Sequence, residues 1–140
     1  MKILVSDSLG QGGMDILRKE KNIQVDEKVG LKPEELKKII GEYDAILIRS
    51  ATKLTADIIE AGKKLRVIGR AGVGVDNVDL DAATKRGIIV MNTPEGNTIS
   101  AAELSFSMLM ALARNIPQAG AHVKKGEWKR SKFMGVELYN

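Results

Sequence analysis

Short apolar runs alternate along the chain with longer stretches in which apolar residues recur every three or four positions. The runs at 2–6 (KILVS), 23–26 (IQVD), 45–48 (AILI), 66–69 (RVIG) and 88–91 (IIVM) predict five strands. The second alternates polar and apolar residues, as a strand near a sheet edge does. Four helices are predicted between them. The first covers 12–20, with Met14 and Leu17 facing inward. The second opens at Pro33, carries Glu34 and Glu35 near its positive end, and puts Leu36, Ile39 and Ile40 on one face. The third is capped by Thr55, runs through Ile58, Ile59 and Ala61, and ends near Gly62. The fourth is capped by Asp79, runs through Ala82 and Ala83, and is stopped by Gly87. Strand–helix alternation with nearly continuous Ile, Val and Leu strands predicts an α/β doubly wound parallel sheet with helices on both faces. Right-handed crossovers then leave few topologies, of which the flavodoxin-like strand order 2-1-3-4-5 is the natural choice.

The pattern changes after Pro94. Residues 98–116 (TISAAELSFSMLMALARNI) predict one long helix, with Ser100 and Glu103 at capping-box spacing and Pro117 marking its end. Its apolar residues cover more than one face, which calls for burial on several sides by another domain or subunit. The division expected is a substrate-binding domain at 1–97 and a helical segment at 98–140. The final residues, MGVELYN, read as a chain heading into a further element with no closing structure of its own.

Composition narrows the class. With 44% hydrophobic and 29% charged residues among 140, the chain is an ordinary globular one, and 4% aromatics leave a core of aliphatic side chains and Met. No cysteine is present, which removes disulfides and thiolate metal sites. The start lacks the apolar run of a signal peptide, and no stretch suits a membrane span, so a cytoplasmic location without membrane attachment is expected. The net charge is +4, but charges are mixed along most of the chain. The one dense basic run, Lys124, Lys125, Lys129, Arg130 and Lys132 around Trp128, is read as a solvated loop, and no nucleic-acid partner is expected.

Ligands of open parallel sheets collect beyond the carboxyl ends of the strands. Two loops there contain G-x-G. In one, Asp15 stands where the third glycine of a dinucleotide fingerprint belongs, and in the other Asn77 does, so both are read as tight turns. Arg49 and Arg70 end the third and fourth strands, neighbours in the proposed order. Their planar forks suit a carboxylate or phosphate, and Gly72 and Gly74 would let backbone N–H groups approach an anion. The alternative is structural pairing of each arginine with Asp44, Asp76 or Asp79. His122 has no acid or cysteine at triad or ligand spacing and is read as a packing or solvated residue. No metal site is expected. By residues alone the chain is a binding module without a catalytic set. A phospho-acceptor domain, a flavin carrier and a flavodoxin-like dimerisation module without enzymatic activity stand as alternatives.

The runs 49–53 (RSATK), 66–79 (RVIGRAGVGVDNVD), 91–104 (MNTPEGNTISAAEL) and 124–139 (KKGEWKRSKFMGVELY) occur in order and at matching spacing nearly end to end. Together they resemble the 3-phosphoglycerate branch of the D-2-hydroxyacid dehydrogenases. The resemblance implies an NAD-dependent oxidoreductase of serine biosynthesis, acting on 3-phosphoglycerate or a related 2-hydroxy acid and assembled as a homodimer or tetramer. It implies that Arg49 and Ser50 hold the distal end of the substrate and that Arg70 and Asn97 also face it. The backbone of Ala71, Gly72, Val73 and Gly74 would take the carboxylate, with Val73 also near the nicotinamide. Arg130 and Lys132 would reach toward a partner subunit. The long helix would lead into a Rossmann domain. The Rossmann fingerprint and the catalytic Arg, Glu and His would lie beyond Asn140, so no catalytic residue is assigned in this chain and the chain alone is expected to be inactive.

Overall fold

The computed structural model describes residues 1–139. Strands β1 (Lys2–Val5), β2 (Gln24–Glu27), β3 (Ala45–Ile48), β4 (Val67–Arg70) and β5 (Ile89–Met91) form one parallel sheet in the order β2-β1-β3-β4-β5. Fold class and strand order are as the sequence predicts. The register sets Ile48 beside Arg70 and Gly69 beside Met91. The strands expected at 23–26, 66–69 and 88–91 are each displaced by about one residue, the usual uncertainty of a boundary.

Handedness fixes which face each helix covers. The step from β1 to β2 runs opposite to the later crossovers, so α1 (Gln11–Lys19) lies on one face. Helices α2 (Pro33–Ile39), α3 (Ala56–Ala61) and α4 (Leu80–Lys85) share the other. There Leu4, Ile46, Ile48 and Ile68 of the sheet meet Leu36, Ile40, Ile58, Ile59 and Ala83 in the main core. Each fully buried Leu or Ile contributes about 1.5–3 kcal/mol. On the α1 face, Ile3, Val5 and Met14 are buried, but Ile89 and Met91 of β5 are 60% and 59% exposed. Burial on both faces, expected of every strand but the second, therefore fails at β5, because α1 sits at the far side of the sheet.

Local signals act as their chemistry requires. Asp79 accepts from the Ala82 N–H at 2.9 Å. Thr55 occupies the N-cap position of α3, although its hydroxyl turns to Asp57 rather than to a helix N–H. Gly87 ends α4 with φ of +66°.

The chain divides into two compact units, Met1–Gly96 and Asn97–Asn140. In the second, α5 (Thr98–Ala113) begins two residues before the expected capping box, so Ser100 lies inside the first turn and Asn97 is the N-cap. The single helix expected to end at Pro117 is in fact two. Asn115 adopts φ of +51° and ψ of 33°, a left-handed conformation that Asn tolerates, and α6 (Ile116–Lys124) starts there. Pro117 opens this second helix, since proline lacks only an N–H that the first turn does not use. The tail is not without closure. Val136 N–H donates to the Ala113 carbonyl at 2.9 Å, and a side chain at Gly135 would strike that same carbonyl at 2.2 Å. The basic run is likewise partly ordered, with Lys124 ending α6 and Arg130 to Phe133 forming a 3-10 turn. His122 packs edge-on to Phe133, ring centroids 5.1 Å apart.

Two glycines with open space around them separate backbone conformation from packing. Gly13 lies within α1 and Gly87 at positive φ, and neither would bring an added Cβ within 4 Å of another atom. Gly13→Ala is expected to stabilise by about 0.5–1 kcal/mol, and Gly87→Ala to destabilise by about 1–2 kcal/mol. Urea denaturation checks the opposite signs; equal shifts would show that packing dominates at one of them.

Candidate functional site

The carboxyl ends of β1, β3 and β4 are held together by polar side chains in an otherwise aliphatic unit. Asp7, two residues beyond β1, is 5% exposed. Its carboxylate accepts from the Arg49 N–H at 2.6 Å, the Thr52 N–H at 3.1 Å and the Thr52 hydroxyl at 2.6 Å. Ser6 adds a 3.0 Å contact between its hydroxyl and that of Thr52. The loop that follows β3 is thereby folded over the end of β1. Burial pushes the Asp7 carboxyl up, but the hydrogen bonds from Thr52, Arg49 and Ala51 outweigh it and leave it below the usual aspartate value.

The loop after β4 is joined to the same assembly. Asn77, 8% exposed, donates from Nδ2 to the carbonyls of Arg49 and Thr52, both at 2.6 Å, and accepts from Arg70 Nε at 2.7 Å. The backbone continues the pairing of β3 with β4 beyond the strands. Ala71 N–H donates to Ile48, Leu54 N–H to Asn77, and Asp79 N–H to Leu54.

Arg70 lies across its own loop. A Cβ at Gly72 would come within 2.5 Å of Arg70 Nη1, and one at Gly74 within 3.0 Å of Asp76 Oδ1. The role expected of these glycines, approach of backbone to an anion, is joined by a second, room for the guanidinium. Arg70 Nη2 is 3.6 Å from Asp76, whose side chain is 85% exposed, so this pair is weak. The other proposed structural partners are engaged elsewhere, Asp44 with the Lys2 N–H and Asp79 as the α4 cap. Arg49 and Ser50 are exposed, and among the described residues Arg49 has no carboxylate partner.

The loop amides divide into two sets. Ala71 and Gly72 N–H groups are used internally, on Ile48 and Arg70 carbonyls. The N–H groups of Val73 and Gly74 donate to nothing among the described residues. Val73, 40% exposed, is held through its carbonyl by Asn92 Nδ2 at 2.7 Å, and Gly72 through its carbonyl by the Thr93 N–H at 3.0 Å. Asn97 heads α5 in the second unit, where its side chain makes no capping bond. Asp7, Thr52 and Asn77 were not singled out as site residues by sequence reasoning. The signal that could have found them is a polar residue in the loop that follows each apolar strand, combined with the register that makes those ends neighbours.

Asp7 gives this assembly a pH dependence. Its folded value is lowered, so the stabilisation it provides is full above the unfolded value near 3.8 and is lost as pH falls through the folded one. Asp7→Asn is expected to flatten part of the acid limb of unfolding free energy below about pH 4, measured by urea denaturation at several pH values. An acid limb unchanged by the substitution would mean that Asp7 carries no such linkage.

The chain matches the family model described as D-isomer specific 2-hydroxyacid dehydrogenase, catalytic domain, over residues 3–128. It is 57% identical over 138 residues to D-3-phosphoglycerate dehydrogenase of Synechocystis sp., covering 99% of this chain and 24% of that protein. It is 56% identical over 137 residues to the Homo sapiens protein of the same name, covering 98% and 26%. The chain thus spans about a quarter of the length of these relatives. Among solved structures, NAD+-bound 3-phosphoglycerate dehydrogenase of Entamoeba histolytica superposes with a TM-score of 0.74 at 29% identity, covering 99% of this chain and 43% of that one. The TT0316 protein of Thermus thermophilus gives 0.84 at 32%, covering 99% and 46%. With parallel order, loop positions and family match in agreement, the chain belongs to the D-isomer specific 2-hydroxyacid dehydrogenases.

Proposed function

We propose that this chain forms the substrate-binding part of an NAD-dependent D-3-phosphoglycerate dehydrogenase. The observation that carries the reading is the set of unoccupied donors at the ends of β3 and β4. There Arg49 has no carboxylate partner, Arg70 keeps its Nη groups on only a weak, exposed one, and the Val73 and Gly74 amides donate to nothing among the described residues. A substrate with a carboxylate at one end and a phosphate at the other suits such an edge. Arg70 and the 73–74 amides would take the carboxylate, and Arg49 with Ser50 the phosphate. The relatives named above support the substrate class. The alternative of a free-standing flavodoxin-like module is not favoured, since the relatives matching along the whole chain are dehydrogenases.

In this reading the chain binds and orients, and catalytic residues lie outside it. Val73, exposed beside the proposed carboxylate site, would lie against the nicotinamide of NAD. The chemistry that NAD would supply is acceptance of a hydride from the substrate C2. Holding a substrate with an anionic group at each end in one pose lowers the entropic part of the barrier. The protein would assemble as a homodimer or tetramer. Along α5, Ile99, Leu104, Phe106, Met108 and Leu112 are all more than 60% exposed, a larger apolar surface than a soluble chain usually leaves uncovered. No helix of the described residues is long and apolar enough to cross a membrane, and no group of His, Asp or Glu among them is arranged to hold a metal.

Backbone NMR titration with D-3-phosphoglycerate is expected to move residues 49–52 and 70–77, with D-glycerate binding more weakly. Arg70→Ala should loosen binding about tenfold or more, while Asp76→Asn, which removes a competing carboxylate, should tighten it about two- to fivefold. Shifts scattered elsewhere, or none, would remove the anion site. Sedimentation should show concentration-dependent self-association of the chain. A clean monomer at high concentration would contradict the oligomeric part.

A further inference from the structure

Asn77 is buried, fully bonded and placed between the two arginine-bearing loops. An asparagine amide offers two N–H donors and a carbonyl acceptor. Here both donors are spent on the β3 loop, at Arg49 and Thr52, and the acceptor on Arg70 Nε, all within 2.7 Å. The amide has one workable orientation. Flipping it would set Oδ1 against two carbonyl oxygens and the NH2 against a guanidinium. Its backbone is fixed as well, through the Leu54 N–H at 2.8 Å and the Leu54–Val78 bridge. No other residue type fits all three contacts. Aspartate keeps the acceptor but turns a negative oxygen on the two carbonyls, and glutamine is one methylene too long for a side chain locked at these distances.

We propose that Asn77 is the positioning residue of the anion edge, setting the Arg70 guanidinium and the Arg49 loop as one unit. The consequence for recognition rests on the substrate reading above. With Nε–H consumed by Asn77, rotation of the guanidinium is blocked and its two Nη groups remain for an anion. Arg70 has 11% side-chain exposure, so little solvent competes for it. Any displacement of Arg70 on binding is passed through the amide to the carbonyls of Arg49 and Thr52. The loop that presents Arg49 therefore responds to an anion it need not touch. Asp7 holds the same loop from the other side through the Arg49 and Thr52 N–H groups, so both sides of its backbone are bound.

The test is NMR of the arginine Nε–Hε groups in this chain without ligand, with exposed Arg49 as internal control. The Arg70 Hε is expected to exchange with water at least about tenfold more slowly than that of Arg49. Asn77→Ala should bring the two rates together. Asn77→Asp should keep Arg70 slow while shifting the amides of residues 49–52, a split that a merely structural role would not produce. Equal exchange in the wild-type chain, or an Arg70 signal still slow in folded Asn77→Ala, would overturn the proposal. The wild-type measurement and Asn77→Asp decide it even if Asn77→Ala does not fold. A ligand arm separates this from the substrate reading. A wild-type chain with a protected Arg70 signal that binds no D-3-phosphoglycerate retires the substrate reading and keeps the Asn77 link. A chain whose Kd is unmoved by Asn77→Ala retires the positioning role.

Discussion

A carboxylate buried without a cationic partner costs several kcal/mol unless hydrogen bonds replace its water. Asp7 is such a group, and it meets the condition only if the loop after β3 folds back over the end of β1 and supplies the Arg49 and Thr52 N–H groups and the Thr52 hydroxyl. The constraint works in both directions. Asp7 is tolerated because the loop is there, and the loop has one conformation because Asp7 must be satisfied. The exposed residues it carries, Arg49 and Ser50, inherit that order although no side-chain hydrogen bond or ion pair among the described residues fixes them.

The same logic extends to β4. Parallel strands leave their carboxyl ends as an open row of backbone groups, and here side chains close the row. Asn77 takes the carbonyls that Asp7 cannot, and it accepts from Arg70 in return. Donors remain after the buried Asp7 and Asn77 are satisfied. Asp7 is held by neutral donors rather than by a guanidinium, and Asp76 is too exposed to hold Arg70 firmly. The two guanidiniums at this edge therefore keep Nη groups that no buried carboxylate occupies.

How much of this the sequence discloses depends on the range of the interaction. Strand runs such as AILI, the proline at the start of α2, and Asp79 three residues ahead of Ala82 are local signals, and each element formed where its signal stood. Handedness left few strand orders, and the flavodoxin-like one was the natural choice among them. The α5–α6 break was missed because Asn115 ends the helix by a backbone conformation that leaves no mark on the apolar pattern, and Pro117 is equally at home after one helix or at the start of the next. The exposed face of β5 was missed because Ile89 and Met91 are apolar whether or not a helix covers them. At the site, the arginines were legible as charged ends of apolar strands. Asp7, Thr52 and Asn77 were not, since they lie 25 to 70 residues apart in sequence and meet only through the register. Asn77 was visible only as the residue that spoils a glycine fingerprint, and its structural task is a bridge.

The most direct test of a preformed row of anion-binding donors at the strand ends is a crystal structure of this chain with D-3-phosphoglycerate bound. The account predicts the carboxylate on the Arg70 Nη groups and the Val73 and Gly74 amides, the phosphate toward Arg49, and the bonds of Asp7 and Asn77 unchanged. An anion bound elsewhere, or one that reaches Arg70 only after the Asn77 contacts have broken, would contradict it.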